Sequence, residues 1–574
     1  MTHKSARPVA MTAVIIAAAV NLATGASLSS AAPTGSGFRL SGAPTTPSEE
    51  MAITAGQVTS AGKTLKYTAQ AGLIPIYNDA TGELMARLFI VAYTAERAPH
   101  QPPRPLTFIW NGGPGSSSSQ VHLVGFGPKG FKTPETYPQW LTSPPAEIGD
   151  RPETWLAASD LVFVDPIGTG YSRATSERNR AILYTQRGDA EAVAEAIRIY
   201  RTRADAFDAP LFIAGESYGT TRAMEVAAAL ERRRTHLAGV ILISGGYNTG
   251  QSVPPALNSA LQISMYTATS HFHKRLPPDL QALSRDEAVQ QAVTWARSAY
   301  APALEKRDSL TPSERSTVVD GLVRYTGIDP QFIDNKTLVL DKEVFLDRLL
   351  DDRDMELGRY DSRMAFRRRN LEMSWAPNND PSIKPMLDLM QGTSVPALRY
   401  IRNTLQYRSD LLYHGPFGEA LHPLPLTQVQ PGIYDDWTTL MWNRDAAPAA
   451  DAQTVQKAAP EGAQSGAPQS AQPAPAQEAS QRAGEQAAHR ELPLRQAMEV
   501  NPRLLVFIVG GMFDGSCAAR DEAVARTDAQ FRGRVRNGCY AAGHMVYTDA
   551  EVRKALQHDF IKFVHDAVDG RSQR

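Results

Sequence analysis

A serine between two glycines, placed where an apolar run meets a helix-forming segment, constrains this chain more than any other feature. Residues 211–219 read Leu-Phe-Ile-Ala-Gly-Glu-Ser-Tyr-Gly, and residues 223–230 that follow have helical character. A strand that turns so tightly into a helix is typical of a nucleophile elbow, whose glycines leave room for the turn. The turn projects the Ser217 hydroxyl outward, and the helix directs its N-terminal amides and positive dipole end to the same place. The alternative is a chance match in a long chain.

Further apolar runs predict the sheet to which this elbow belongs. Runs of β character cover residues 64–68 and 86–93, and residues 106–110 form a third apolar strand. Later buried strands are predicted to begin at residues 160, 239 and 503, with a helix over residues 186–207 between the first two of them. Strands and helices that alternate at this spacing predict an α/β protein, with a mostly parallel central sheet and helices on both faces.

Two residues near the end of the chain complete a catalytic pattern with Ser217. Asp514 lies in a glycine-containing turn after the last apolar run, and His544 follows a glycine. A closing helix is predicted to start at Thr548, with Glu551 completing a capping box. The order serine, aspartate, histidine is the one expected of an α/β-hydrolase fold. The imidazole can remove the serine proton while the aspartate fixes its tautomer, and the alternative is that His544 is an ordinary loop histidine.

The loop after residue 110 is unusually rich in glycine and serine. Residues 111–119 read Asn-Gly-Gly-Pro-Gly-Ser-Ser-Ser-Ser. Backbone amides in such a loop can turn toward a bound group without steric hindrance, so the loop is predicted to cradle an oxyanion or a carboxylate. An ordinary surface loop is the alternative. The position of residues 111–119 directly after a core strand favours the cradle, because the second oxyanion donor of such folds comes from a loop at this place.

Composition and cysteine usage bear on the compartment and the partners. The 59 basic and 60 acidic residues balance, which argues against a nucleic-acid partner. Residues 1–32 have a positive start, an apolar run over residues 9–22 and small residues where a signal peptidase could cut. The alternative, a membrane anchor, needs about 20 apolar residues. The mature protein is therefore predicted to be exported, periplasmic or extracellular, without stable membrane insertion.

The chain has two cysteines, Cys517 and Cys539. In an exported protein a single pair is predicted to form a disulfide, and two free buried thiols are the alternative. Such a bond would connect the loop of Asp514 to the segment before His544, and it is predicted to hold these two residues in register.

The remaining segments complete the predicted organisation. Residues 251–444 contain charged helical stretches, and a helical insertion at this place usually forms a cap over the active site. Its aromatic residues, which would form the core of the cap or line substrate pockets, include Trp375, Tyr400, Tyr407, Tyr413, Tyr434, Trp437 and Trp442. Residues 445–492 have almost no large apolar side chain and are predicted to be a disordered linker. The predicted domains are a signal peptide (1–32), a core in two parts (33–250 and 493–574), the cap and the linker.

Four ordered motifs carry a resemblance to a known family. They are residues 110–116 (Trp-Asn-Gly-Gly-Pro-Gly-Ser), 163–172 (Phe-Val-Asp-Pro-Ile-Gly-Thr-Gly-Tyr-Ser), 215–219 and 543–546 (Gly-His-Met-Val). Together they resemble the serine carboxypeptidase family, peptidase family S10, in an exported member of bacterial type. The resemblance implies an exopeptidase, without metal or cofactor, that removes C-terminal residues from peptides with a free C-terminus. It further implies a monomer or homodimer that usually works best at acidic pH.

The resemblance also implies roles for individual residues, which fall into three groups. They are the triad of Ser217, Asp514 and His544, the oxyanion-hole amides of Gly113 and Tyr218, and the carboxylate-binding set of Asn111, Gly112 and Glu216. A carboxylic acid facing a carboxylate can share a proton with it, so recognition of the terminal carboxylate is expected to weaken as pH rises.

Two residues depart from the family pattern. Gly125 stands where many relatives have a second carboxylate-binding glutamate, which predicts a pH optimum nearer neutrality than is typical. Ser116 replaces a cysteine, so the corresponding disulfide is absent.

Three alternatives to a carboxypeptidase remain. An esterase or acyltransferase could use the same triad. A proline-releasing aminopeptidase fits the elbow and Asn111 less well, and an intact triad argues against a non-catalytic binding protein.

Overall fold

The computed structural model describes residues 50–132, 147–247, 249, 252–368, 395–414 and 492–572. The predicted signal peptide, nearly all of the predicted linker and four of the named aromatics (375, 434, 437 and 442) lie outside these residues. The strands are β1 (Ala52–Ser60), β2 (Lys63–Tyr77), β3 (Leu84–Ala95), β4 (Leu106–Trp110), β5 (Lys129–Phe131), β6 (Ile148–Asp150), β7 (Asp160–Val164), β8 (Arg173–Ala174), β9 (Leu211–Glu216), β10 (Leu237–Ile243), β11 (Met355–Leu357), β12 (Ala365–Arg367), β13 (Leu505–Gly511) and β14 (Val535–Tyr540).

The helices follow the strands through the chain and also fill the segment between β10 and β13. The α-helices are α1 (Glu177–Leu183), α2 (Gln186–Arg203), α3 (Gly219–Arg232), α4 (Pro255–Leu261), α5 (Ile263–Phe272), α6 (Pro278–Gln281), α7 (Arg285–Trp295), α8 (Ala301–Glu305), α9 (Pro312–Thr326), α10 (Lys342–Arg348), α11 (Pro493–Val500), α12 (Cys517–Ala525), α13 (Ala529–Arg532) and α14 (Ala550–Ser572). The π-helical turns are Val121–Phe126, Ala296–Tyr300 and Tyr400–Thr404.

One ten-stranded sheet organises the described part of the chain. Its order is β1-β2-β3-β7-β4-β9-β10-β13-β14, with β8 beside β3. The strands from β7 to β14 in this order pair in parallel, whereas β1, β2 and β3 form an antiparallel edge. The prediction of an α/β-hydrolase fold with a mostly parallel sheet is confirmed. Residues 106–110 are the fourth strand in chain order rather than the third, because β1 adds an antiparallel edge strand.

Helices cover both faces of the sheet because its central strands are apolar on both sides. On one face α2, α3 and α11 pack against residues such as Phe108 and Ile213. On the other face α14 presents Leu556, Phe560 and Phe563 to the sheet. The elbow strand β9 is buried along its whole length, between β4 and β10. Packing in the core therefore fixes where β9 ends, and Ser217 is the residue that follows its last residue.

The helices between β10 and β13 have a hydrophobic core of their own. It joins α5 to α10 through buried residues such as Tyr266, Tyr300 and Phe345. Tyr400, Tyr407 and Tyr413 belong instead to the hydrophobic cluster of the sheet, because residues 395–414 pack back onto that face. Within the described residues, no helix combines the length and apolar character that a bilayer span requires.

The closing helix begins later than its sequence predicts. Residues Val546–Thr548 form a 3-10 turn, and α14 starts at Ala550. Asp549 takes the N-cap position, since its Oδ1 accepts hydrogen bonds from the amides of Glu551 at 3.0 Å and Val552 at 3.2 Å. The predicted capping box between Thr548 and Glu551 is therefore wrong, because the aspartate next to Thr548 is the side chain that caps.

Candidate active site

Ser217 lies in the sharp turn between β9 and α3. Its φ of 58° falls in the left-handed region, which a residue with a side chain adopts at a cost. The Ser217 amide donates to the carbonyl of Ile243 at 2.8 Å, which fixes the turn to the neighbouring strand. A Cβ at Gly215 would lie 1.9 Å from the carbonyl oxygen of Gly219, so the flanking glycines permit the close passage of the chain. The predicted nucleophile elbow is thus present in its strand–turn–helix setting.

Asp514 and His544 meet at the same edge of the sheet. Asp514 follows β13 and His544 follows β14, and these are neighbouring parallel strands. The His544 Nδ1 lies 2.8 Å from Asp514 Oδ2, which is a hydrogen bond between the two predicted catalytic residues. On the other side of the ring, Nε2 lies 3.9 Å from Glu216 Oε1. Among the described residues, no hydrogen bond joins Ser217 Oγ to His544 Nε2.

The carboxylates on both sides of His544 determine its charge. Burial lowers the pKa of His544, but the charge and hydrogen bond of Asp514, followed by the charge of Glu216, raise it to about 9. Burial raises the pKa of Asp514, but His544, Lys342 and Arg520 together hold it below the ordinary value. Burial also raises the pKa of Glu216, against the opposing effects of His544 and Asn111. The surrounding charges therefore favour the ionised form of Asp514, while the charge of Glu216 and the charge of His544 each affect the pKa of the other.

The glycine loop after β4 packs directly against the elbow. A Cβ at Gly112 would lie 2.4 Å from the amide nitrogen of Tyr218 and 2.5 Å from the carbonyl oxygen of Glu216. Gly113 adopts a φ of 98°, which favours glycine. The loop is anchored by the Trp110 indole, which donates to the Gly219 carbonyl at 2.9 Å. The loop backbone thus comes as close to the elbow as the absence of a side chain permits.

Asn111 and Glu216 form a buried pair at this contact. Asn111 Nδ2 donates to Glu216 Oε2 at 2.7 Å, and Asn111 Oδ1 accepts from the Val121 amide at 3.1 Å. Both side chains are buried. The Asn111 carbonyl accepts from Arg222 at 2.8 Å, and Arg222 forms a fully buried ion pair with Asp189. These contacts bring the three residues predicted to hold a carboxylate (111, 112 and 216) beside the three predicted catalytic residues.

The helical insertion contributes residues that the sequence patterns did not single out. Lys342, at the start of α10, donates from Nζ to the Asp514 carbonyl at 2.8 Å. The Tyr360 carbonyl accepts from the His544 amide at 2.6 Å, and its ring meets the imidazole edge-on at 5.1 Å between centroids. No motif marks either residue, because their partners lie about 170 to 180 residues away in the chain. Residues of the insertion thus contact and support both the loop that carries Asp514 and the loop that carries His544.

A disulfide joins Cys517, at the start of α12, to Cys539 in β14, with Cα atoms 5.9 Å apart. Arg520 donates to the Cys517 sulfur at 3.1 Å and also lies close enough to Asp514 to lower its pKa. The predicted bond is therefore present, and it connects the segments that follow Asp514 and precede His544. The described residues contain no cluster of three or more histidine, cysteine, aspartate or glutamate side chains able to hold a metal ion.

Comparisons with known proteins match the first part of this site. Residues 62–298 match the model of Peptidase_S10, described as serine carboxypeptidase. The pheromone-processing carboxypeptidase kex1 of Neosartorya fischeri is 26% identical over 218 residues, which are 36% of this chain and 31% of that protein. Serine carboxypeptidase-like 44 of Arabidopsis thaliana is 37% identical over 139 residues, which are 23% of this chain and 25% of that protein.

A solved structure also aligns with the chain. The prohormone-processing carboxypeptidase Kex1(delta)p of Saccharomyces cerevisiae aligns over 87% of this chain and 92% of its own, with 13% identity and a TM-score of 0.46. This chain spans less than a third of the length of the two curated relatives. The sequence matches support the serine carboxypeptidase family for the segment that carries the glycine loop and Ser217, whereas Asp514 and His544 lie beyond the matched residues.

Proposed function

We propose that this chain is a serine carboxypeptidase that releases C-terminal residues from peptides through an acyl-enzyme on Ser217. The observation that carries the proposal is the meeting of two groups at one sheet edge. The imidazole of the hydrogen-bonded Asp514–His544 pair lies 3.9 Å from Glu216, which directly precedes the elbow serine and is hydrogen-bonded to the buried Asn111. A triad alone supports acyl transfer in general, whereas a carboxylate-binding pair next to it supports an exopeptidase.

The chemistry follows from the roles proposed for the triad. His544 removes the proton of Ser217 as its oxygen attacks the carbonyl carbon of the last peptide bond. The amides of Gly113 and Tyr218 donate to the oxyanion of the tetrahedral intermediate. His544 then returns the proton to the leaving amine, and the C-terminal amino acid departs. A water molecule, activated by the same imidazole, hydrolyses the acyl-enzyme, and Asp514 stabilises the imidazolium in both steps.

The terminal carboxylate of the peptide is proposed to bind at Asn111, Gly112 and Glu216. The amide groups of the first two can donate to it directly. Glu216 can donate only when it is protonated, and burial raises its pKa in that direction. Because Gly125 removes a second acid from this place, we expect a pH optimum nearer neutrality than is typical of the family. An optimum well below pH 5 contradicts that expectation.

The proposed localisation, partners and oligomeric state rest on the sequence and on the disulfide. We propose an exported protein of bacterial type, periplasmic or extracellular, since a structural disulfide persists in such compartments. Its proposed partners are peptides with a free C-terminus, with neither nucleic acid nor stable membrane insertion, and its proposed state is a monomer or homodimer. The insertion (251–444) is proposed to form the cap of the active site.

The experiment compares an N-blocked dipeptide with its C-terminal amide and with a simple ester, from pH 4 to pH 8. Wild type is expected to cleave the free acid far faster than the amide, and Ser217→Ala is expected to abolish this cleavage while the protein remains folded. Hydrolysis of the ester alone would replace the proposal with an esterase or acyltransferase. Inertness toward all three substrates would favour a non-catalytic binding protein.

A further inference from the structure

Arg222, in the first turn of α3, is a fully buried arginine that belongs to neither the triad nor the carboxylate-binding set. Its Nε donates to Asp189 of α2 at 2.5 Å, and neither side chain has exposed surface. Its guanidinium carbon lies over the Tyr218 ring, 5.3 Å from the ring centre. Burial of two charges costs free energy that their attraction only partly returns, and apolar residues of similar size often serve stability equally well. A cation buried five residues after Ser217 therefore indicates a role beyond stability.

The guanidinium also contacts the glycine loop. Arg222 Nη1 donates to the main-chain carbonyl of Asn111 at 2.8 Å. The carbonyl of Asn111 and the amide of Gly112 belong to one peptide unit, which is trans. Because a trans peptide unit is planar, its carbonyl and its N–H point in opposite directions. A guanidinium that holds the Asn111 carbonyl therefore also sets the direction of the Gly112 N–H.

The Gly112 amide belongs to the side of this unit on which Glu216 lies. A Cβ at Gly112 would lie 2.5 Å from the carbonyl oxygen of Glu216, so the two residues are in contact. Burial raises the pKa of Glu216, and the Gly112 amide is one of the groups that oppose this effect. The N–H of the unit is thus directed to the proposed carboxylate-binding set, while its carbonyl is directed to Arg222.

The next peptide unit of the loop is held without Arg222. The Gly112 carbonyl accepts from the Ser116 amide at 3.2 Å, which sets the direction of the Gly113 N–H, the proposed oxyanion donor. A neutral amide of the same loop holds this second unit, whereas a charged group from α3 holds the first. Hydrogen bonds from a charged donor are the stronger ones, and they polarise the group that accepts them. The two donors of the loop therefore depend on different supports.

We propose that Arg222 is a positioning residue of the carboxylate site, which directs the Gly112 amide toward the terminal carboxylate of the bound peptide. The inference rests on the proposed function and deepens it, because it assigns part of the recognition of substrate charge to a buried cation that does not touch the substrate. The cation also polarises the peptide unit, which makes the Gly112 N–H a stronger donor to an anion. Asp189 holds the guanidinium in place as its counter-ion.

The test measures kcat/KM for the N-blocked dipeptide acid, its amide and the simple ester in the double variant Arg222→Met with Asp189→Leu. Joint replacement removes the buried pair without leaving one charge unpaired. The preference for the acid over the amide is expected to fall about 10-fold, the loss of one hydrogen bond to a charged group. Ester hydrolysis, which needs only the triad and the oxyanion hole, is expected to fall less than cleavage of the acid. An arginine with a merely structural role would lower all three reactions by the same factor.

Arg104→Met with Asp160→Leu is the matched control. Arg104 Nε lies 2.8 Å from Asp160 Oδ1, and its Nη2 donates to the Leu156 carbonyl at 2.6 Å. This ion pair also holds a main-chain carbonyl, but it lies where the parallel strands β4 and β7 begin, at the edge of the sheet opposite to the elbow. The control variant is expected to lower the melting temperature and to keep the preference for the acid.

The outcomes separate this inference from the proposed function. If wild type does not prefer the acid, both fail. If wild type prefers the acid and the double variant at Arg222 and Asp189 keeps that preference, the inference is overturned while the carboxypeptidase assignment stands. Loss of the preference in the control variant overturns the inference as well, since removal of any ion pair would then suffice. If the double variant does not fold, Arg222→Lys is measured in the same way, because lysine keeps the charge but lacks the fork of donors that reaches both partners. An unchanged preference in Arg222→Lys then overturns the inference.

Discussion

Replacement of Glu216 by glutamine tests whether the charge of this residue affects the pKa of His544, in addition to its proposed role in substrate binding. The Glu216 carboxylate lies 3.9 Å from His544 Nε2, and its negative charge favours the imidazolium. Glutamine keeps the shape of the side chain and an oxygen that can accept from Asn111 Nδ2. The substitution therefore removes the charge and leaves the hydrogen bond, so the pKa of His544 is expected to fall.

The size of the shift follows from the distance. Two unit charges 3.9 Å apart interact by about 1 kcal/mol in water and by about 4 kcal/mol at the effective dielectric constant of 20 that suits such sites. At about 1.4 kcal/mol per pH unit, these limits correspond to between roughly one and three units. Both side chains are largely shielded from solvent, which favours the upper part of the range. A Glu216 that is partly protonated carries less negative charge on average, which favours the lower part of the range of pKa shifts.

The assay is the pH dependence of kcat/KM for an ester without a terminal carboxylate, so that substrate recognition by Glu216 does not enter. The acid limb of the profile reports the ionisation of the base in the free enzyme. In Glu216→Gln this limb is expected to move to lower pH by about one to three units. Glu195→Gln, which changes a buried glutamate on α2 that pairs with Arg198 and has no part in the pKa of His544, is the control and should leave the limb in place. An unmoved limb, or one at higher pH, in a variant that melts like wild type would refute the reasoning.

Three further predictions concern the loop, the disulfide and the insertion. Gly112→Ala places a Cβ against the elbow and is expected to lower kcat by about 10²- to 10³-fold, as the loss of one oxyanion donor does, measured with the same ester. Joint replacement of Cys517 and Cys539 by alanine is expected to cost roughly 3 kcal/mol in denaturant unfolding and to reduce activity, and unchanged activity would show that the bond does not hold the triad in register. Lys342→Met removes a cation that disfavours the His544 imidazolium, so the acid limb is expected to move up by as much as about one pH unit, with Lys342→Arg restoring it.

Much of the fold could be predicted because its central strands are buried on both faces. Such strands are continuous apolar runs, and the sequence marks where each of them ends. The start of the closing helix was mispredicted because Thr548 and Asp549 are both good N-caps, and only the structure distinguishes between them. The edge strand β1 was not predicted separately, since its alternating and partly exposed residues carry a weaker signal.

The site could be predicted only where chemistry requires a local pattern. An elbow needs flanking glycines, and a parallel sheet brings strand ends to one edge, so Ser217, Asp514 and His544 could be expected to converge. Lys342 and Tyr360 come from the insertion and touch the site through tertiary packing alone. No local pattern in sequence encodes such a contact.

Glu216 connects recognition and catalysis in opposite directions as pH changes. As pH rises, Glu216 loses the proton through which it is proposed to donate to a terminal carboxylate, whereas His544 loses the proton that prevents it from acting as base, and the charge of Glu216 moves this second loss to higher pH. An enzyme that relied on Glu216 alone would therefore bind the terminal carboxylate best at low pH and have a free base only at higher pH, so its free-acid cleavage would be confined to the range between. Lys342 opposes the charge of Glu216 at His544 and so lowers the pH at which the base becomes free. Lys342→Met should accordingly narrow the pH range of free-acid cleavage from its acid side and leave the alkaline side in place, and a shift of the alkaline side alone in the kcat/KM profile would contradict this division of roles.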